Sequence, residues 1–189
     1  MCLIESIIVS IISNYTAMKY KIFILSIFLY SFQFMFTQEA QTVKKLDLKK
    51  YMGLWYEIAR YDNWFEKDLV GVTAEYSIIG DNKIQVINSG YKYNLNGKLK
   101  KSVGKAKQPD RKEPGKLKVS FFLWFYGDYN ILKLEEINYS YALIGSNDKS
   151  YLWILSRTPK LNKSTLDEIL RYAEKIGYDT SKLYYTPQK

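Results

Sequence analysis

No histidine occurs anywhere in this chain, and its one cysteine is Cys2. An imidazole base and a His-ligated metal are therefore excluded. So are a CxxC redox pair, a structural disulfide and a cysteine nucleophile within any domain downstream of the N-terminus. Asp, Glu, Lys, Tyr and Ser remain for chemistry, and no motif spacing organises them. Glu57, inside "GLWYEIARY", is the carboxylate a catalytic reading would use; a buried, paired structural role is the competing one. Neither enzymatic activity nor a cofactor or metal is expected. The composition is instead rich in aromatic surface, 16% of residues, with 18 tyrosines. A tyrosine ring packs while its hydroxyl seeks a partner, which suits a cavity wall or the outer face of an antiparallel sheet.

The elements that would carry these side chains are short strands. "GVTAEYSII" places Val72, Ala74, Tyr76 and Ile78 on one face and Thr73, Glu75 and Ser77 on the other, the period of a half-buried strand. Gly80–Asn82 is a turn signal, and Asn96-Gly97 is a strong hairpin cue. Counted with "GLWYEIAR", eight such runs follow one another at roughly 8–15-residue spacing, and no helical period interrupts them. An all-β domain is predicted, an eight-stranded up-and-down antiparallel barrel or a sandwich, followed by one helix. That helix is expected to start at Ser164 as N-cap and to end at Gly177, with Leu166, Ile169, Leu170, Ala173 and Ile176 as its apolar stripe. "SKLYYTPQ" reads as a short edge strand.

Four stretches resemble the lipocalin family, and within it the bacterial and apolipoprotein D-like subgroup. "DLKKYMGLWYEIAR" is similar to the first lipocalin signature, with Gly53 and Trp55 as its Gly-x-Trp. "EINY" is similar to the second, with Glu136 in the place of the acid, Tyr139 as the tyrosine and Glu135 where threonine is usual. "YLWILSRTP" matches the third, with Arg157 as its arginine. "KVSFFLWFYGDYNIL" resembles the bacterial form, although Leu123-Trp124 replaces an expected Gly-Pro. The resemblance runs from Leu46 to about Gln188. It implies the barrel rather than the sandwich, with an interior wide enough for one small ligand. It also implies that Trp55 closes one end beneath Arg157, a cation stacked on a ring. Gly53, Glu136 and Tyr139 belong to the same plug, which is structural and away from ligand.

The ligand is then expected at the opposite end. Tyr61, Trp64 and Phe65 follow the first strand, where the family places a large loop over the mouth. Phe121, Trp124, Phe125 and Tyr129 come from the mid-chain aromatic stretch, and Tyr76 and Tyr141 point inward by alternation. For all nine, core or outer-wall packing is the alternative. The resemblance implies a fatty acid or lysophospholipid partner, bound for transport, storage or maintenance of the bacterial cell envelope. The other readings are a carrier of a tetrapyrrole, retinoid-like compound or quinone, and, more remotely, an enzyme acting on its bound ligand.

Between Lys98 and Lys118 nine basic residues face two acidic ones, so most of the chain's formal +9 is local. The pairs Lys98/Lys100, Lys105/Lys107 and Lys116/Lys118 are expected on the outer face, as a solvated exterior or, through Lys100, Lys105, Lys107 and Lys118, as a contact with an anionic membrane surface. Nucleic acid is not expected as a partner, because the N-terminus reads as an export signal. Lys19 and Lys21 precede an uncharged run, Ile22–Phe36, of secretory length. Met18 is read as the true start, residues 1–38 as the signal region and residues 39–189 as the domain, in the periplasm or cell envelope, with an uncleaved anchor as the rival. Cys2 does not end the apolar run, so no lipid-modified cysteine is expected there.

Overall fold

The structure, a computed structural model, describes residues 18–21 and 41–189. Apart from residues 18–21, a helical turn, the predicted signal region lies outside the described residues. The barrel unit begins with α1 (Leu48–Tyr51), capped by Asp47, whose carboxylate accepts from the Lys49 and Lys50 amides. Then come β1 (Gly53–Tyr61), β2 (Leu69–Gly80), β3 (Lys83–Lys92), β4 (Leu99–Lys107), β5 (Lys116–Phe122), β6 (Phe125–Leu134), β7 (Tyr141–Gly145) and β8 (Leu152–Ser156). Each strand pairs antiparallel with the next, and β1 pairs with both β2 and β8, which closes an eight-stranded barrel. Helix α2 (Lys163–Lys175) and a last short strand, β9 (Leu183–Tyr185), follow.

β1 shares its edge unevenly. Gly53–Tyr56 pairs with β2, whereas Ala59–Tyr61 pairs with β9. The C-terminal tail extends this link. Thr186 N donates to Ile58 O at 3.0 Å, Gly71 N donates to Pro187 O at 2.7 Å, and the Gln188 amide reaches Glu57 O and Val72 O. Backbone carbonyls and one amide that β1 and β2 would leave unpaired are thus satisfied by the tail.

Two apolar layers result. One fills the lower barrel with Trp55, Ile84, Val86, Ile131, Ile144 and Leu155 among others. The second lies outside the wall, where Ile58, Leu143, Leu152 and Ile154 meet Ile169 and Ala173 of α2. β7 is consequently buried on both faces. The N-cap of α2 is Asn162 rather than Ser164: its side chain accepts from Thr165 N at 2.8 Å, and Ser164 sits in the first turn, donating to Asn162 Oδ1. Both types cap well, and Asn162 starts the helix two residues earlier than Ser164 would. At the other end Gly177, at φ +87°, allows Gly177 N to bond Glu174 O and Tyr178 N to bond Ala173 O, a Schellman stop.

Candidate functional site

The lower end of the barrel is sealed. Trp55 is fully buried, and the Arg157 guanidinium lies 3.8 Å over its ring. That guanidinium donates to the carbonyls of Lys50, Tyr51, Met52, Leu54 and Tyr139 at 2.7–3.3 Å. A planar fork on a fixed stem can serve so many acceptors at once; an ammonium cannot. Gly53 stands at φ +92°, a conformation a side chain would strain, and a Cβ there would come within 3.5 Å of Arg157 Nη1. Tyr139 accepts from Asp47 N at 2.8 Å and so ties α1 to the β6–β7 loop.

The acid of this loop is Glu135, not Glu136. Glu135 accepts from the amides of Ile137, Asn138 and Ser140 and from the Ser140 hydroxyl, and these bonds, Ile137's first, hold its carboxyl below the usual range. Glu136 is exposed. In "EEINY" the carboxylate that reaches the turn amides is the one at the first position of the turn, the position where the family carries threonine.

Above the plug lies a cavity of about 1150 Å³. Its floor is a chain of phenols: Tyr129 Oη is 2.7 Å from Tyr51 Oη and 2.9 Å from Tyr76 Oη. Burial raises all three pKa values, so the floor is polar in atoms but uncharged. Ala74, Val86, Val119 and Leu155 form apolar wall above it. Asn88 interrupts the wall, with a buried Oδ1 that has no hydrogen-bond partner. The rim carries Trp64, Phe65, Phe121, Phe122 and Phe125 beside Lys67, Lys92, Lys100 and Lys101.

A buried ionic cluster holds the β1–β2 loop over this mouth. Arg60 donates to Glu57 and Thr186 and to the carbonyls of Glu66 and Leu69. Glu66 accepts from Asn63 Nδ2 and from Trp153 Nε1. Desolvation first, then the Glu66 charge, push the Glu57 carboxyl up to about 7 against the pull of Arg60. Glu57, Glu66 and Trp153 all line the cavity. Among the described residues no group of three His, Cys, Asp or Glu side chains could hold a metal ion.

Of the nine ligand candidates, Trp64, Phe65, Tyr76, Phe121, Phe125 and Tyr129 line the cavity. Tyr61 and Tyr141 do not. Tyr61 packs on Tyr178 outside the wall and exchanges hydrogen bonds with the Asp179 backbone, while the Tyr141 hydroxyl faces Glu168 of α2. A register shift between Glu57 and Ala59 turns the end of β1 over, so Arg60 faces in and Tyr61 out. Tyr141 lies beside Ala142, whose partner Leu155 faces the cavity, so Tyr141 faces out. Trp124 is also outside the lining: it stands at the tip of the β5–β6 turn, stacked on Phe125.

The lysine pairs divide as well. Lys105 and Lys107 share a face with Ser120 and Lys118; Lys118 pairs with Asp128, and that pair lies at the cavity edge, whereas Lys105 and Lys107 are outside the lining. Lys100 is opposite Gly90, in phase with Ser102 and Gly104, on the cavity side. It is thus not on the outer face with Lys105 and Lys107. Residues 100 and 105 are an odd number apart, and unbroken alternation puts them on opposite faces. Glu66, Asn88, Lys92, Lys101, Phe122 and Trp153 were not anticipated at the cavity. Trp153 alone carried a signal, its place two residues before Leu155 on one strand face.

A closed antiparallel barrel with one sealed end, one open cavity and a helix against its wall is the architecture of a small-ligand binding protein. Residues 46–188 match the family profile described as a lipocalin-like domain, and the chain belongs to the lipocalin family. It is 41% identical over 152 residues to the outer membrane lipoprotein Blc of Vibrio cholerae, a match spanning 80% of this chain and 88% of that protein. The Escherichia coli K12 protein of the same name is 44% identical over 146 residues, 77% of this chain and 81% of that one. Among solved structures, apocrustacyanin C1 superposes with a TM-score of 0.64 at 25% identity, covering 76% of this chain and 80% of that one.

Proposed function

We propose that this protein binds a single-chain amphiphile, a fatty acid or a lysophospholipid, tail inward, and carries or stores it at the bacterial cell envelope. The observation that carries the reading is the polarity gradient of the cavity: an uncharged phenol floor, aliphatic wall, and a rim of aromatic rings and lysines. Its volume, about 1150 Å³, is just above the ~300–1,000 Å³ common for ligand pockets, and suits a long chain. Each buried methylene contributes about 0.8 kcal/mol, so a long tail supplies the affinity while lysines select an acidic head. A ligand that carried charge to both ends would leave one charge against neutral phenols, at high desolvation cost. The name of the relatives, outer membrane lipoprotein, and the uncharged run Ile22–Phe36 after Lys19 and Lys21 support an exported, periplasmic or envelope location.

The test is competitive titration of delipidated protein with a fluorescent fatty acid. Lysophospholipid is expected to displace the probe saturably, and reversal of Lys100 and Lys101 to Glu is expected to weaken acidic ligands more than neutral ones. Displacement by a tetrapyrrole or retinoid but not by lysophospholipid would overturn the lipid reading.

A further inference from the structure

The open end carries apolar side chains that reach past the cavity rim into solvent. Trp64 is 82% exposed, Trp124 72%, Phe122 67% and Phe125 65%, with Leu123 between them also exposed. They sit on two tips at the same end of the barrel, the β1–β2 loop and the β5–β6 turn. Neither tip is loose packing. The first is moored by the Arg60–Glu57–Glu66 cluster, and in the second Phe122 pairs with Phe125 across a two-residue turn. Leu123 there has φ +49°, a position where hairpin turns favour glycine. A branched apolar side chain is thus held in a backbone conformation that disfavours it, at a point where it touches solvent.

The surroundings identify what covers this surface. Lys67, Lys92, Lys100, Lys101 and Lys118 line the same opening, together with Asp68, Asp128 and Asp148; Lys118 pairs with Asp128. Lys92 pairs with Asp68, and among the described residues no ion pair occupies Lys67, Lys100 or Lys101. Bulky rings at loop tips with lysines set behind them match the headgroup layer of a bilayer, where aromatic rings settle at the interface and basic stems reach phosphates. A second copy of this end would set the unpaired Lys67, Lys100 and Lys101 of each mouth against one another.

We propose that the open end docks tip-first into the interface of a bilayer containing anionic phospholipid, with Trp64, Phe122, Leu123 and Trp124 inserted and the mouth lysines on headgroups. The cavity then opens onto the membrane, and an amphiphile passes between the two without crossing bulk water. This extends the carrier reading, yet docking is measurable without any ligand. It also places membrane contact at the mouth and not along the outer wall that bears Lys105 and Lys107.

The experiment uses the full chain and vesicles of phosphatidylglycerol and phosphatidylcholine with brominated acyl chains, reading tryptophan emission. Trp55, Trp64, Trp124 and Trp153 are the chain's four tryptophans, so the signal comes from the barrel and not from the N-terminal segment. Quenching is expected in wild type and is expected to be largely lost in Trp64→Phe/Trp124→Phe. Lys100→Glu/Lys101→Glu should weaken the vesicle dependence about tenfold or more, and Lys105→Glu/Lys107→Glu should leave it nearly unchanged. Leu123→Asp should reduce quenching while leaving equilibrium affinity for an aqueous fluorescent fatty acid intact. No quenching above that of unbrominated vesicles would overturn the proposal, as would quenching that survives loss of Trp64 and Trp124. A tip-dependent dimer in size-exclusion chromatography would overturn it in favour of a second copy. Failure of the fatty-acid titration alone would overturn the ligand, not the docking.

Discussion

At the closed end of the barrel every strong group is consumed. Arg157 is spent on five main-chain carbonyls, and Trp55 is sandwiched between that cation and the α1 residue Tyr51, to whose carbonyl its indole N–H donates at 2.9 Å. At the open end the same residue types are left over: Trp64 and Trp124 face solvent, and Lys67, Lys100 and Lys101 border the mouth. An aromatic–cation pairing seals one end because backbone carbonyls anchor the cation. At the other end carbonyls anchor Arg60 and Lys92, but Trp64, Trp124, Lys67, Lys100 and Lys101 are left available to something outside the chain. Identity of residue type therefore says little about role until the acceptors around it are known.

The largest effect should come from breaking the seal. Trp55→Ala is expected to cost about 3–5 kcal/mol in urea denaturation, through lost burial plus an unfilled hole. Trp124→Ala, at the exposed tip, is expected to stay within about 0.5 kcal/mol. Equal losses at the two tryptophans would erase the distinction. Arg157→Lys comes next, at about 2–4 kcal/mol, because one ammonium cannot serve five carbonyls spread around a planar fork. Measuring the same exchange of charge type at the mouth, Lys100→Arg, should leave the denaturation midpoint in place.

A third break is set by pH. The folded Glu57 carboxyl titrates at about 7, above the 4.5 of an unperturbed glutamate, with desolvation and Glu66 as the main causes. The folded state therefore binds a proton that the unfolded chain has already lost. The contribution is fully present below about pH 4.5 and is lost as pH rises through 7. Thermal midpoints should fall across that window in wild type and fall less in Glu57→Gln, which keeps the acceptor for Arg60 and Thr186. A variant with an unchanged slope would show that another group titrates there. The open-end loop rests on this cluster and the plug contains no comparable acid, so the pH response should be felt at the mouth first.

The barrel and its seal were legible because both rest on local patterns: alternation with turn residues, and a Gly-x-Trp followed far downstream by an arginine after a strand. What was not legible depends on events the pattern does not record. One bulge between Glu57 and Ala59 reverses the end of β1, so Arg60 rather than Tyr61 turns inward, into the buried ionic cluster. Alternation carried no facing signal in β7, whose outer side α2 covers, and Tyr141 fell on the wrong side. Trp124, expected among the ligand contacts, stands off the cavity wall, at the tip of a two-residue turn. The Lys100 error was of another kind: the parity that separates it from Lys105 was present in the sequence.

The smallest expected effect sharpens the comparison where the two ends meet. Tyr129 belongs to the cavity floor by position and to the closed end by bonding, since its hydroxyl is the shared partner of Tyr51 and Tyr76. Tyr129→Phe removes one hydroxyl and leaves two buried ones without that partner. It should cost about 1–2 kcal/mol of stability, the scale of an unsatisfied buried group. Ligand affinity should move the other way or not at all, because an acyl tail gains an entirely apolar surface to rest on. If affinity instead fell with stability, the floor would be contacting a polar part of the ligand, and the tail-inward orientation would be reversed. Stability by denaturation and affinity by fatty-acid titration on the one variant decide between these, and they do so without disturbing the rim.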